Sequence, residues 1–245
     1  MQSIIADELK LRLLPVALIF TNEKPEGALQ FEQGARGCLI PMLCAAAEGK
    51  TVVFDRDTVP CPGGMVGLEF SAGWGDPDAF AYFLSVGGGP SHREGEGYKK
   101  TPELAKEAMG GQPSTIDPRP YRVFKPLTAV QPEKESPRLV VFLANADQIS
   151  ALATLANYGR PTNDNVILRF AAGCGSVCLL PDQLNLEEPF RAVLGMTDIS
   201  ARPSVPADLL SFTIPWPMYL EMEGNVRGSF LDRKDWLKVK ARLPG

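Results

Sequence analysis

With 245 residues, 44% of them hydrophobic and 22% charged, the chain has the make-up of a globular protein able to bury a core without disulfide or metal staples. A formal net charge of -4 argues against a protein that neutralises nucleic-acid phosphates, so no nucleic-acid partner is expected. The apolar runs at residues 13–20 and 38–47 fall well short of the roughly 20 residues a membrane-spanning helix needs.

The first residues carry no basic stretch followed by an apolar core, so no export signal and no membrane partner are expected. Five cysteines, an odd number, then favour reduced thiols and a cytoplasmic location.

In chain order, Ile5, Leu9 and Leu13 recur once per turn behind Ser3, predicting a helix from Ser3 to Leu14 that Pro15 ends. Val16 to Phe20 reads as a strand buried on both faces. A helix over Arg36 to Glu48 closed by Gly49, and a strand over Thr51 to Phe54, come next. Cys61-Pro62-Gly63-Gly64 is a sharp turn. Asp76-Pro77 and Thr101-Pro102 each pair a cap with a proline at the first helical position, predicting helices to about Val86 and Met109. Between them, Ser91 to Lys100 has no periodicity and reads as a mobile loop holding His92, the sole histidine. Tyr121 to Leu127, bracketed by prolines, reads as a strand at a sheet edge or part of a linker.

The second half begins with a strand over Arg138 to Leu143 and a helix capped by Asp147 that runs to Tyr158 ahead of Gly159. Val166 to Phe170 is a further strand, leading into Gly173-Cys174-Gly175-Ser176-Val177-Cys178. Helical pieces follow at Glu187 to Leu194 and Asp232 to Leu243, with a strand at Leu209 to Ile214 that Pro215-Trp216-Pro217 ends. The basic residues from Arg227 to Arg242 read as a solvated helix face. Strand, helix, strand and a Cys-Gly turn thus occur twice, over Val16 to Cys61 and Leu139 to Cys174. The expectation is one α/β or α+β domain spanning residues 1–245, a mixed sheet with flanking helices. Two similar halves, about residues 1–75 and 136–185, would face their turns into one cleft.

Four cysteines stand near or inside glycine turns: Cys38, Cys61, Cys174 and Cys178. Cys44, inside an apolar helix, reads as a small hydrophobe. Glycine beside cysteine lets backbone N–H groups approach sulfur, as metal clusters require, so the first expectation is a metal or iron–sulfur cluster on those four thiols. Neither CxxC pairs nor ferredoxin spacings occur, which weighs against it. The alternative is a small-ligand module in which Gly63, Gly64, Gly173 and Gly175 present N–H groups to an anion. A third reading makes Cys61 or Cys174 a nucleophile at a helix start, with only His92 available as base. Gly87-Gly88-Gly89 follows a helix rather than a strand, unlike a phosphate loop.

Leu14-Pro15-Val16-Ala17-Leu18, Gly37-Cys38, Cys61 with Gly63 and Gly67, Gly173-Cys174 and Leu210 to Pro215 together resemble the family called domain of unknown function 169. That resemblance spans nearly the whole chain on short motifs. It implies a prokaryotic, cytoplasmic, stand-alone domain without an assigned activity, in which cysteines matching Cys38, Cys61 and Cys174 are typical.

Overall fold

Strand β1 (Val16–Thr21) is the centre of the fold, because its alternating side chains are buried on both sides. Ala17 and Ile19 enter one hydrophobic cluster, Val16, Leu18 and Phe20 the other. The computed structural model describes residues 1–111, 116–186 and 188–243. Seven strands form one mixed sheet: β2 (Val52–Phe54), β3 (Tyr121–Pro126), β1, β4 (Leu139–Ala144), β7 (Leu210–Pro215), β6 (Ala192–Gly195) and β5 (Val166–Ile167), in that spatial order. Every neighbouring pair is antiparallel except β5 with β6. Outward from the β1–β4 junction the pattern reads alike both ways, β1-β3-β2 and β4-β7-β6.

Helices α1 (Ile4–Glu8), α6 (Ala146–Tyr158), α8 (Trp216–Gly224) and α9 (Lys234–Lys240) pack on the Ala17 face of the sheet. On the opposite face lie α2 (Ile40–Ala47) and the start of a π-helical turn, Gly175–Leu179, that runs into α7 (Leu180–Gln183). Between β2 and β3 the chain forms α3 (Pro62–Gly67), then α4 (Pro77–Leu84) and α5 (Pro102–Gly110). The latter two build a small cluster of their own from Ala81, Ala105 and Met109 with Trp74, Phe80 and Leu84. We call residues 72–111 the cap.

The mixed α/β reading holds, with local corrections. Helix α1 stops at Glu8 because Gln148 donates its amide N–H groups to the Leu9 and Lys10 carbonyls, and Lys10 takes a left-handed turn. Cys61-Pro62-Gly63-Gly64 is the start of a helix rather than a sharp turn. Asn145, not Asp147, caps α6, in a reciprocal capping box with Gln148. β3 lies inside the sheet, between β2 and β1, and not at its edge. The helix expected over Glu187 to Leu194 is instead, from Ala192, strand β6, because Val193 and Leu194 find β7 to pair with; Glu187 itself lies outside the described residues. After Pro215 the chain forms α8, with Pro217 in its first turn where no N–H is needed. No helix among the described residues is long and apolar enough to cross a membrane.

Candidate functional site

Three cysteines stand at three helix starts, each accepting backbone N–H groups. Cys38 Sγ accepts from Ile40 N–H, at the first residue of α2, at 3.5 Å. Cys61 is the cap of α3, its Sγ accepting from Gly64 N–H at 3.2 Å and from Gly63 N–H as well. Cys174 opens the π-helical turn, takes the Gly175 N–H, and donates its own S–H to the Gly63 carbonyl at 3.2 Å. A π-helical turn is uncommon and concentrates at functional sites.

These N–H groups favour the thiolate, but burial, the larger effect, pushes the Cys38 and Cys61 thiols up and the Cys174 thiol far up. At neutral pH the three are thiols, poor nucleophiles. His92 is exposed and does not line the cavity that these cysteines share, so no histidine base stands beside them.

That cavity, of about 850 Å³, separates the cap from the body of the fold. Its floor includes Gly37, Cys38, Cys61, Gly63, Gly67 and the stretch from Ala171 to Gly175. Its roof is the cap, with Trp74 stacked on Phe80 at 4.5 Å between ring centroids, and with Phe83 beneath the Arg93 guanidinium at 5.7 Å. Tyr98 fastens cap to body: its hydroxyl accepts from Ser200 N–H at 2.7 Å and its ring meets Phe170 edge-on at 5.2 Å. Arg169 makes a second tie, donating to the Gly111 carbonyl at 2.6 Å. The stretch read as a mobile loop is pinned inside the cap, Gly88 N–H to Arg93 and Glu96 N–H to Phe83. Gly87 permits this, since a Cβ there would lie 2.3 Å from Gly95 N.

The cavity carries charge of both signs, unequally held. Arg93, Lys99 and Arg169 line it, and none of them is ion-paired among the described residues. Glu96 and Asp198 also line it, linked through Ser200, whose hydroxyl donates to Asp198 Oδ2 at 3.1 Å and bonds Glu96. Burial pushes both carboxyls above their ordinary range, and for Glu96 the Asp198 charge adds to the push.

Of the glycines singled out from sequence, Gly63, Gly173 and Gly175 line the cavity and Gly64 does not. Their N–H groups are engaged: Gly63 and Gly64 with Cys61, Gly175 with Cys174, and Gly173 with the Asp198 carboxylate. Cys178 lies outside the cavity, fully buried near Arg122, Glu69 and Asp182, its thiol pushed well up by burial. Cys44 donates to the Ser204 carbonyl at 3.3 Å. Among the described residues no group of three or more His, Cys, Asp or Glu side chains is arranged to hold a metal ion.

Residues 4–225 match the sequence profile of a family described as uncharacterised ArCR, domain of unknown function 169. The chain belongs to that family. No curated protein and no solved structure matches it. For this member of domain of unknown function 169, six of the residues singled out from sequence, Cys38, Cys61, Cys174, Gly63, Gly173 and Gly175, line the cavity, and none of its roof residues was singled out. Trp74, Phe80, Phe83, Arg93, Lys99 and Tyr98 all come from the cap. The signal available was the density of aromatic residues between Phe70 and Phe83, which periodicity assigns equally well to a core.

Proposed function

We propose that the protein binds a small anion with an apolar, ring-bearing body in the cavity between cap and sheet. The observation that carries this reading is a cavity of about 850 Å³ walled by Trp74, Phe80, Phe83 and Phe170 and holding three cations that have no acid partner among the described residues. Ligand pockets run from about 300 to 1,000 Å³, apolar with a few placed polar groups. Arg93, Lys99 and Arg169 select the anion, while the two carboxyls hold their protons to higher pH than usual and oppose it less. The anion is read by side-chain cations, because the glycine N–H groups are engaged with sulfur and carboxylate. The same reading takes the two strand-helix-strand runs as duplicated units whose cysteine-bearing helix starts meet at the cavity, in a cytoplasmic protein whose five cysteines are free.

Isothermal calorimetry with naphthoate, set against the charge-reversed naphthylmethylammonium, tests it. Saturable binding of naphthoate, weakened by salt and by Arg169→Gln, is the expected result. Binding of neither compound, or tighter binding of the cation, overturns it.

A second reading is favoured by the placement of Cys38, Cys61 and Cys174 on one cavity floor, each sulfur accepting a backbone N–H. It makes these thiols ligands of a metal or iron–sulfur cluster, without Cys178. The thiols would have to lose their protons and draw together, since no such group is assembled among the described residues. Metal analysis and absorption spectra of protein purified without oxygen decide it. Stoichiometric iron or zinc, lost in Cys61→Ser, supports the cluster; a metal-free, colourless protein overturns it.

A further inference from the structure

Two of the cavity cysteines, Cys38 and Cys61, come from chain segments that are joined on either side of them. Gly37 N–H donates to the Pro60 carbonyl at 3.4 Å, joining the residues immediately before Cys38 and Cys61. Just beyond the cysteines the same segments pack again, a Cβ placed on Gly64 lying 3.1 Å from Leu39 Cδ2. The two thiols are therefore bracketed between paired residues. Both border the cavity, Cys38 exposed and Cys61 half-buried.

The remaining cysteines are less available. Cys174 is buried with its S–H on the Gly63 carbonyl, Cys178 is sealed in the core, and the Cys44 S–H is given to Ser204.

We propose that Cys38 and Cys61 form an oxidisable dithiol at the cavity floor, which a hydroperoxide converts to a disulfide. Cys38, the more exposed, reacts first. Its thiolate attacks the terminal peroxide oxygen, the O–O bond breaks, and the departing oxygen takes a proton, leaving a sulfenic acid on Cys38. The Cys61 thiolate then attacks that sulfur; the S–S bond forms as hydroxide leaves and is protonated to water. With hydrogen peroxide the balance is two thiols and one peroxide to one disulfide and two waters, two electrons passing from the sulfurs to the peroxide oxygens.

A disulfide requires Cα atoms about 4.4 to 6.8 Å apart, which fixes how closely the two segments must stand. Partial desolvation holds both thiols above their ordinary range, so the rate rises with pH as the thiolate fraction grows. The inference stands apart from the ligand reading and is tested without any ligand.

The full-length, fully reduced protein is treated with hydrogen peroxide, its remaining thiols are alkylated with iodoacetamide, and a non-reducing digest is mapped by mass spectrometry. The expected product is a peptide pair joined through Cys38 and Cys61, lighter by the two thiol hydrogens, with loss of two of the five alkylatable thiols and full reversal by dithiothreitol. Cys38→Ser and Cys61→Ser abolish the crosslink while each keeps an oxygen to accept the backbone N–H that its sulfur accepts, and circular dichroism verifies the fold. No crosslink in the folded wild-type protein, oxidation of Cys38 to the sulfinic acid alone, or a disulfide through Cys44 or Cys174 overturns the proposal.

Discussion

Cys174 Sγ fills the place that a side chain at position 67 would need: a Cβ on Gly67 would stand 2.7 Å from that sulfur and 3.0 Å from the Cys174 carbonyl carbon. Residues far apart in the chain thus share one van der Waals space at the cavity floor. The backbone atom cannot swing aside, so Gly67→Ala forces α3 away from the π-helical turn. We expect a loss of about 1–3 kcal/mol in urea unfolding and weakened naphthoate binding. Gly63→Ala, at a position with open space around it, serves as the tolerant control.

A second prediction concerns Arg122, fully buried between the rings of Phe20 and Phe70 at 4.2 and 4.3 Å. Its guanidinium donates to four backbone carbonyls, Leu68, Glu69, Asp117 and Arg119. Leu68 and Glu69 follow α3 directly, so this clamp holds the far end of the helix that carries Cys61. Arg122→Met leaves those carbonyls without the donor and is expected to cost at least about 3 kcal/mol in urea unfolding. Arg122→Lys should not restore it, because an ammonium lacks the planar fork that spans two rings and four acceptors.

The cavity carboxyls set a pH dependence. Burial, then the Asp198 charge, raise the Glu96 carboxyl against the opposing Ser200 hydrogen bond. Below that raised value Glu96 is protonated and the cavity loses a negative charge. Naphthoate should therefore bind more tightly as the pH falls through that raised value, and Glu96→Gln should flatten the profile. The stability sign agrees. An acid with a raised folded pKa keeps a proton that the unfolded chain has released, so its contribution to stability falls as pH rises through that window. Chemical denaturation across the same pH range checks this second part.

Tyr98 supplies two of the contacts that hold the cap to the body. Tyr98→Ala should lower hydrogen-exchange protection in α4 and α5 while leaving β1 and β4 unchanged, since the sheet has its own core on both faces. Equal loss of protection in cap and sheet would show that they unfold as one unit.

Much of the fold is legible in local chemistry. Asp76-Pro77 and Thr101-Pro102 start helices because a side-chain oxygen and a fixed proline φ act within a single turn. The central strands are legible because β1 from Val16 to Phe20 and β4 along its whole length are apolar and buried on both faces. The failures are tertiary in origin. Leu13 has helical spacing, yet Gln148 intercepts the carbonyls of Leu9 and Lys10 from 139 and 138 residues away. Ala192 to Leu194 has no decisive period, and β7 makes it a strand by offering a ladder.

The sequence by itself determined the class of fold, the capped helix starts and the presence of cysteine at glycine-rich turns, because each depends on residues within a turn or two of one another. Only the tertiary structure decided which thiols share a cavity. Cys174 reaches Gly63 across 111 residues while Cys178, one helical turn further on, faces the core. Nor does any local pattern disclose that residues 72–111 fold into a cap whose aromatic rings and cations roof those thiols. Such a surface exists only after two distant segments of chain have packed against each other.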